Sequence, residues 1–284
     1  MQKRLFKNLA IMSAAALVLT ACGGNSNESS GVPKVDMMKS LGAGEGAVNV
    51  VAWAGYVENG STDPKVDWVT GFEKETGCKV NYKVGSTSDE MVTLMQSGEY
   101  DVVSASGDAS LRLIYGGDVA PVNTDLIPNY ADVFDNLKLQ PWNSIDGVPY
   151  GVPHGRGANL LAYRTDIVKP APTSWGAVFD ANSPYKGKIT AYDSPIYIAD
   201  AALYLMKTQP DLGITYPYAL DQKQFDASIE LLKAQKPLIG EYWGDYLKHV
   251  ASLKSGATAL GTTWQVNINL AQGEGTKVEG IKPS

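Results

Sequence analysis

The chain has 284 residues, with 24 Lys and Arg, 30 Asp and Glu, and a formal net charge of −6. This acidic balance argues against a nucleic-acid-binding protein, and two cysteines are too few for a disulfide scaffold or a Cys-rich zinc site. A hydrophobic fraction of 44% excludes a disordered chain and suits one large domain or two ordinary ones.

The N-terminus has the pattern of a targeting signal. Three basic residues precede the apolar stretch Leu9–Leu19, which is too short for an ordinary transmembrane span. The stretch ends in LTAC, which resembles the bacterial lipobox, so cleavage would leave Cys22 as an acylated first residue. We therefore expect a lipoprotein signal peptide at 1–21, a flexible tether at 22–46, and an extracytoplasmic (periplasmic) protein anchored to a membrane. The alternative is an ordinary signal peptide with a chance cysteine.

The next hundred residues alternate strand and helix patterns. Predicted strands are 48–53, 79–84 and 100–105, and predicted helices are 64–76, 109–115 and a segment capped by Ser88 that ends at Gly98. Short connections between them indicate a parallel α/β sheet. Residues 118–149 are rich in Pro, Asn and Asp and have poor periodicity, which marks a break.

A second α/β run follows the break. Predicted strands are 160–163, 187–191 and 257–263, and predicted helices are 198–206, 221–234 and one beginning at Trp175. We expect two α/β lobes, the first at 47–153 and the second at 154–274.

Catalytic motifs specific enough to predict an enzyme are missing from the sequence. It contains no HExxH, Walker A, GxSxG or strand-linked GxGxxG motif. A triad of Ser106, His154 and an Asp is possible by residue type, but its motif context is lacking. The acidic residues do not have metal-ligand spacing, so we expect neither a metal nor an organic cofactor.

Aromatic residues are concentrated near predicted strand ends instead. They are Trp53 and Tyr56 after the first strand, Tyr242 and Trp243 in a predicted loop before a helix, and Trp264 at the end of the last strand. Ligands of open α/β sheets bind beyond the carboxyl ends of the strands. Aromatic faces there could enclose a cationic or apolar ligand, although each residue could equally be part of the packing.

Polar residues also follow predicted strands, as the aromatic residues do. Ser106 and Asp108 follow the third strand, and Asp193 follows the strand that ends in GKITAY. Ser and Asp are also preferred helix N-caps, so a structural role is the alternative. A carboxylate on each side of a cleft would suit a diamine, because a buried ammonium needs a partner.

These motifs together resemble a known family. VNVVAWAGYV, GEYDVVSASGDASLRL, GVPHGRGANLLAYRTD, PTSWGAVFDANSPYKGKITAYDSPIYIADAAL and LKSGATALGTTWQVN are similar, in this order, to substrate-binding proteins of bacterial polyamine (spermidine/putrescine) ABC transporters. The resemblance covers the chain from Val48 onward. It implies a two-lobed periplasmic-binding-protein fold, type II-like, whose lobes close on the ligand by a hinge.

The resemblance also implies roles for individual residues. Trp53 and Tyr56 would be cleft aromatics of the first lobe, and Trp264 would box the ligand from the second. Ser106 and Asp108 would contact the ligand, and Asp193 would pair with an ammonium group. A variable contact segment would lie near Tyr242, Trp243 and Asp245.

Because of two departures from the family pattern, the sequence does not determine the chemical identity of the ligand. Ile196 stands where relatives have a second carboxylate, and Arg156 lies in the crossover between the lobes. Arg156 would repel a polyamine unless a carboxylate neutralises it. It is either a structural hinge residue or a sign of a ligand with its own carboxylate, such as an amino acid derivative.

The family continues beyond the last residues of this chain. We therefore expect residues 275–284 to begin a return to the first lobe, and the second crossing to be incomplete. If so, the partner of Cys78 would lie in the absent part, although Cys78 could also be a buried thiol. A chain truncated in this way is expected to bind ligand weakly or not at all.

The sequence thus predicts a monomeric solute-binding protein that delivers a small cationic ligand to ABC permease subunits, and not an enzyme. The alternatives are a binding protein for another small amine or an amino-acid-like ligand, a sensor lipoprotein, and an exported hydrolase using Ser106.

Overall fold

The structure, a computed structural model, describes residues 31–61 and 63–283. The predicted signal peptide, Cys22 and the first part of the tether lie outside this range. Residues 31–46 contain no helix or strand. They are not separate from the folded body, because the Asn123 side-chain amide donates a hydrogen bond to the Met38 carbonyl at 3.0 Å.

The first lobe is a small parallel sheet with three helices. Its elements are β1 (Ala47–Ala52), α1 (Val69–Thr76), β2 (Lys79–Val84), α2 (Ser88–Gln96), β3 (Val102–Val103) and α3 (Gly107–Gly116). The strand order is β2-β1-β3, and both pairings are parallel. The predicted strand-helix alternation and parallel sheet are therefore confirmed, with a third strand shorter than expected.

Helix α1 begins five residues later than the pattern predicted. The Asp67 carboxylate accepts a hydrogen bond from the Thr70 backbone N–H at 2.9 Å, which ends a loop in front of the helix. Asn59 also forms an isolated antiparallel bridge with Asp67. These contacts hold the described residues around Pro64 in a loop, so Pro64 does not occupy the first turn of the helix.

Short 3₁₀ turns and a hairpin connect the lobes. The hairpin strands are β4 (Ser144–Ile145) and β5 (Val148–Pro149). The poor periodicity of residues 118–149 reflects this irregular backbone. A stretch without helix or strand, from Tyr150 to Asn159, then leads into the second lobe.

The second lobe is built on a larger, mixed sheet. Its elements are β6 (Leu160–Arg164), α4 (Gly176–Phe179), β7 (Ile189–Tyr192), α5 (Tyr197–Thr208), α6 (Gln222–Gln235), β8 (Ile239–Trp243), α7 (Tyr246–Ser255), β9 (Leu260–Thr263), α8 (Gln265–Gly273) and β10 (Val278–Ile281). The strand order is β10-β6-β9-β7-β8. Strands β8, β7 and β9 run parallel, whereas β6 is antiparallel to β9 and β10 is antiparallel to β6.

One sequence expectation is corrected here. Tyr242 and Trp243 are not in a loop, because they form the end of β8 and pair with β7. Residues 278–281 form β10, which the sequence pattern did not predict and which pairs antiparallel with β6 at the edge of the larger sheet. Because Ile281 pairs with Leu161, β10 runs toward the end of β6 at which the connection from the first lobe enters.

Residues 32–284 form one compact unit, and its largest core lies in the second lobe. That core packs the central strands against α5, and every residue of β7 and β9 is buried. In the first lobe, five of the six residues of β2 are exposed. Among the described residues, no helix is long and apolar enough to cross a membrane.

Candidate ligand-binding site

The carboxyl ends of the parallel strands bring aromatic rings from both lobes together. Trp53 follows β1 and Trp264 follows β9, and their ring centroids lie 6.5 Å apart in an edge-on arrangement. Trp264 also contacts Tyr192 and Trp243, with centroids at 5.0 and 5.1 Å. Three of the five predicted aromatics, Trp53, Trp243 and Trp264, therefore form one cluster with Tyr192 between the lobes.

The members of this cluster differ in exposure. Trp243 is only 1% exposed and stacks on His249 with centroids 4.6 Å apart. Burial lowers the pKa of His249 to about 3, so the ring is neutral inside the lobe. Trp53 and Trp264 are partly exposed. Trp243 therefore packs against the cluster from the buried core of the second lobe, whereas Trp53 and Trp264 lie at the surface of the cluster.

Tyr56 lies apart from the other aromatics. Its ring stacks on His154, with centroids 4.3 Å apart and planes at 17°. His154 belongs to the stretch between the lobes that has no helix or strand, so this stacked pair joins the first lobe to the connection.

The N-termini of α2 and α3 carry the polar groups of the first lobe. The Ser106 hydroxyl donates to Asp108 Oδ1 at 2.6 Å and lies 2.7 Å from the Ser88 hydroxyl. This pairing links the first turns of the two helices. Neither contact involves a histidine, and His154, the other named member of the possible triad, stacks on Tyr56.

A cavity of about 360 Å³ lies beside Asp193, and we refer to it as the Asp193 cavity. The residues that line it are Asp89, Tyr192, Asp193, Ser194, Pro195, Tyr197, Ile198, Leu232 and Tyr242. Asp89, in the first turn of α2, comes from the first lobe, and Asp193, directly after β7, comes from the second. The cavity thus has one carboxylate from each lobe and the rings of three tyrosines.

The two carboxylates differ in their surroundings. Asp89 Oδ1 pairs with the Arg112 guanidinium at 2.5 Å. The Asp193 carboxylate is exposed, and its charge adds to burial in raising the pKa of Tyr242. A cation in this cavity would therefore meet its stronger attraction at Asp193, because Arg112 already offsets the charge of Asp89.

A second cavity, of about 250 Å³, lies beside Asp108 and is called the Asp108 cavity below. The residues that line it are Asp108, Pro195, Ile196, Ile198, Ala199, Pro217, Tyr218, Leu220 and Phe225. It too is lined from both lobes. Burial raises the pKa of Tyr218 to about 12, with the charges of Asp200 and Asp108 adding to the increase and Arg156 opposing it.

Within the described ranges, no group of three or more His, Cys, Asp or Glu side chains could hold a metal ion. The donor atoms at the interface are separate carboxylates, serine hydroxyls and tyrosines. This arrangement can bind a cationic, partly apolar small molecule.

A comparison with known protein families assigns the chain to one of them. Residues 67–283 match the family described as bacterial extracellular solute-binding protein. The chain belongs to this family. The solute-binding protein predicted from the sequence is thereby confirmed at the level of the family, and the extracellular setting of the family agrees with the predicted extracytoplasmic location.

Individual relatives extend this comparison. The putrescine-binding periplasmic protein SpuD of Pseudomonas aeruginosa is 26% identical over 220 residues, which cover 74% of this chain and 56% of that protein. This solute-binding protein therefore spans little more than half the length of the curated relative it matches.

Solved structures show the fold. The substrate-binding protein PotD of a spermidine/putrescine ABC transporter from Streptococcus pneumoniae has a TM-score of 0.59 at 18% identity, covering 84% of this chain and 68% of that one. The TpPotD lipoprotein of Treponema pallidum has a TM-score of 0.65 at 15% identity, covering 84% and 70%. The two-lobed solute-binding-protein fold is thus confirmed.

The structure distributes the predicted site residues over three places. Trp53, Trp264 and Trp243 lie in the aromatic cluster, Asp193 lies in one cavity, and Ser106 with Asp108 lies beside the other. Asp245 has a local role, because its carboxylate accepts hydrogen bonds from the Leu247 and Lys248 backbone N–H groups at 2.7 and 3.3 Å and caps α7.

Sequence reasoning missed several residues that line the cavities. Asp89 holds the same position in α2 that Asp108 holds in α3, early in a helix that follows a strand of the first sheet. That parallel was readable in the sequence. Tyr218 and Phe225 had no such signal, because they come from a loop and a helix face that only folding brings to the interface.

Proposed function

We propose that this chain is the solute-binding component of an ABC importer and that it captures a small polyamine, such as putrescine, between its lobes. The observation that carries the proposal is the Asp193 cavity, to which each lobe contributes one carboxylate. A diamine places an ammonium at each end, and each needs an anionic partner once it leaves water. The names of SpuD and PotD support the same ligand class and transporter type.

The mechanism follows from the placement of these groups. In the open state the exposed Asp193 carboxylate attracts the cation, with Tyr242 beside it. Closure brings Asp89 and the aromatic cluster onto the ligand and removes water, which strengthens the charge interactions. The closed form then docks on the permease. We further propose that the protein is a monomer anchored by acylated Cys22.

Arg156 favours a second candidate ligand. This exposed residue lies close enough to Tyr216 and Tyr218 for its charge to oppose the increase that burial causes in their pKa. A guanidinium near the interface would suit a ligand with a carboxylate, such as an amino acid derivative. Binding of such a zwitterion, lost on Arg156→Gln, would favour this candidate over a polyamine.

Titration calorimetry with putrescine tests the polyamine proposal. We expect Asp193→Asn to weaken binding about 10- to 100-fold, the effect of losing one charge-assisted hydrogen bond. Asp89→Asn should have a smaller effect, because Arg112 partly neutralises Asp89. The matched control is exposed Asp132→Asn, which changes the net charge equally and should bind as the unaltered chain does. Absence of heat with putrescine and spermidine, both from this chain and from a version extended to the length of its relatives, would refute the proposal.

A further inference from the structure

His249 is a buried histidine that packs against the aromatic cluster and lines neither the Asp193 cavity nor the Asp108 cavity. It belongs to α7, and its ring stacks on Trp243 with planes at 14°. Burial keeps the ring neutral, so it adds no positive charge near a site proposed for a cation. His249 therefore acts on its surroundings through packing and hydrogen bonding alone.

Two routes of contact connect His249 with Trp264. The first runs through Trp243, whose ring stacks on His249 and meets the Trp264 ring edge-on with centroids 5.1 Å apart. The second runs through the residue before Trp264, because His249 Nε2 lies 2.9 Å from the Thr263 hydroxyl. The Asn267 amide donates to the same hydroxyl at 3.1 Å, and the Asn267 N–H donates to the Trp264 carbonyl. The histidine is thus linked to both the ring and the backbone of Trp264.

Stability alone does not favour a histidine at this position. Its Nδ1 is buried and has no hydrogen-bond partner in the part of the chain that the structure describes. A buried polar atom without a partner is unfavourable, so an apolar side chain of similar size would stabilise the core at least as well. An apolar side chain would, however, lack the directional contact with Thr263. That contact is the feature that only the histidine supplies.

The aromatic cluster adjoins the proposed ligand site through Tyr192. The Tyr192 ring centroid lies 4.6 Å from that of Trp243 and 5.0 Å from that of Trp264. Tyr192 also lines the Asp193 cavity. Trp264 meets a tryptophan of the first lobe on its other side. The orientation of Trp264 therefore affects both a wall of the cavity and the contact between the lobes.

We propose that His249 is a positioning residue for the ligand site, which holds Trp264 in one orientation through Trp243 and Thr263 without touching the ligand. The proposal rests on the proposed function for the identity of the ligand. The orientation of Trp264 is a property of the protein without ligand, so it can be tested separately.

Fluorine NMR of the chain labelled with 5-fluorotryptophan measures this orientation in the absence of ligand. The Trp264 resonance is the one that disappears in Trp264→Phe. We expect His249→Leu, which removes both contacts and keeps the core apolar, to shift and broaden this resonance. The control is Leu253→Ala, a buried change on the same helix in a separate core cluster. It should lower the stability but leave the Trp264 resonance in place.

A second variant protects this test against misfolding of His249→Leu. His249→Phe keeps an aromatic ring against Trp243 and loses only the contact with Thr263. We expect it to shift the Trp264 resonance in the same direction by a smaller amount. A Trp264 resonance that is unchanged in both variants would overturn the proposal.

Titration calorimetry with putrescine links the position of Trp264 to binding. We expect His249→Leu to weaken binding about three- to tenfold, the contribution of one aromatic contact. In a Trp264→Ala background the same change should alter the affinity less than about twofold, because both substitutions act through one ring. Leu253→Ala should bind as the unaltered chain does. Equal effects of His249→Leu in the two backgrounds would show that it does not act through Trp264, and would overturn the proposal.

The outcomes separate this proposal from the proposed function. A shifted Trp264 resonance without putrescine binding, from this chain and from its extended version, would keep the positioning role and refute the polyamine ligand. Putrescine binding that His249→Leu leaves unchanged would keep the polyamine ligand and overturn the positioning role.

Discussion

Asp200 is a buried carboxyl group that makes the stability of the protein depend on pH. It lies in α5 with 5% of its surface exposed, and its Oδ1 accepts a hydrogen bond from the Asn159 amide at 2.7 Å. Burial raises its pKa from 3.8 to about 7, an increase that the hydrogen bond to Asn159 only partly opposes. The folded protein therefore holds this proton up to a neutral pH, whereas the unfolded chain releases it near pH 4.

The sign of the pH dependence follows from this difference. Between pH 3.8 and about 7 the folded state binds the proton more tightly, so the free energy of unfolding contributed by Asp200 falls as pH rises. Three pKa units at about 1.4 kcal/mol each give a loss of about 4 kcal/mol over that window.

Asp200→Asn should remove this loss, because the amide stays neutral and its oxygen can still accept from Asn159. We expect the variant to be more stable than the unaltered chain above about pH 7 and similar near pH 4. Urea unfolding as a function of pH measures the difference, with exposed Asp132→Asn as the control. A stability difference that does not change with pH would contradict the assignment.

At the scale of elements, helix caps decided where several helices begin. Thr87 caps α2 through a hydrogen bond from the Glu90 N–H, and Asp221 caps α6 in a capping box with Gln224. The sequence pattern placed both starts within one residue. It failed at α1, because the loop held by Asp67 competes with the helix signal at Pro64. Local propensity is a weak guide where a neighbouring loop makes its own hydrogen bonds.

Substitutions of Asp245 can distinguish its role as the cap of α7 from the ligand contact that the family resemblance implies. Asp245→Ala should destabilise the chain by about 1 kcal/mol, because α7 loses its cap. Asp245→Ser keeps a capping oxygen but removes the charge, so it should retain most of the stability. Chemical denaturation measures both variants. Putrescine binding weakened tenfold in Asp245→Ser would instead place this carboxylate on the ligand.

At the scale of the whole molecule, the Trp53–Trp264 contact joins the two lobes directly. Aromatic pairs contribute about 0.5–1.5 kcal/mol beyond the area they bury. That energy is enough to shift an equilibrium between open and closed lobes by about two- to twelvefold.

Trp53→Ala should therefore shift the chain toward open conformations. We expect a larger radius of gyration by small-angle X-ray scattering without ligand, and putrescine affinity weakened about three- to tenfold. Trp53→Phe keeps an aromatic ring at this position and should show a smaller change. A radius of gyration identical for all three proteins would mean that this contact does not hold the lobes together.

The sequence by itself determined the α/β class, the break between the lobes and most residues at the strand ends. Strand and helix periodicity, turn residues and caps are local, so they can be read along the chain. It also identified Asp108 and Asp193 as candidate ligand groups, because the positions after parallel strands are fixed by topology.

Only the tertiary structure decided where the candidate ligand groups and the last strand lie. It placed Trp243 inside a strand and the core, assigned residues 278–281 to the larger sheet, and placed Asp108 and Asp193 in adjoining cavities that share Pro195 and Ile198. These features depend on which short strands pair and which surfaces meet between the lobes. Such pairings join residues far apart in the chain, and a local pattern does not contain them.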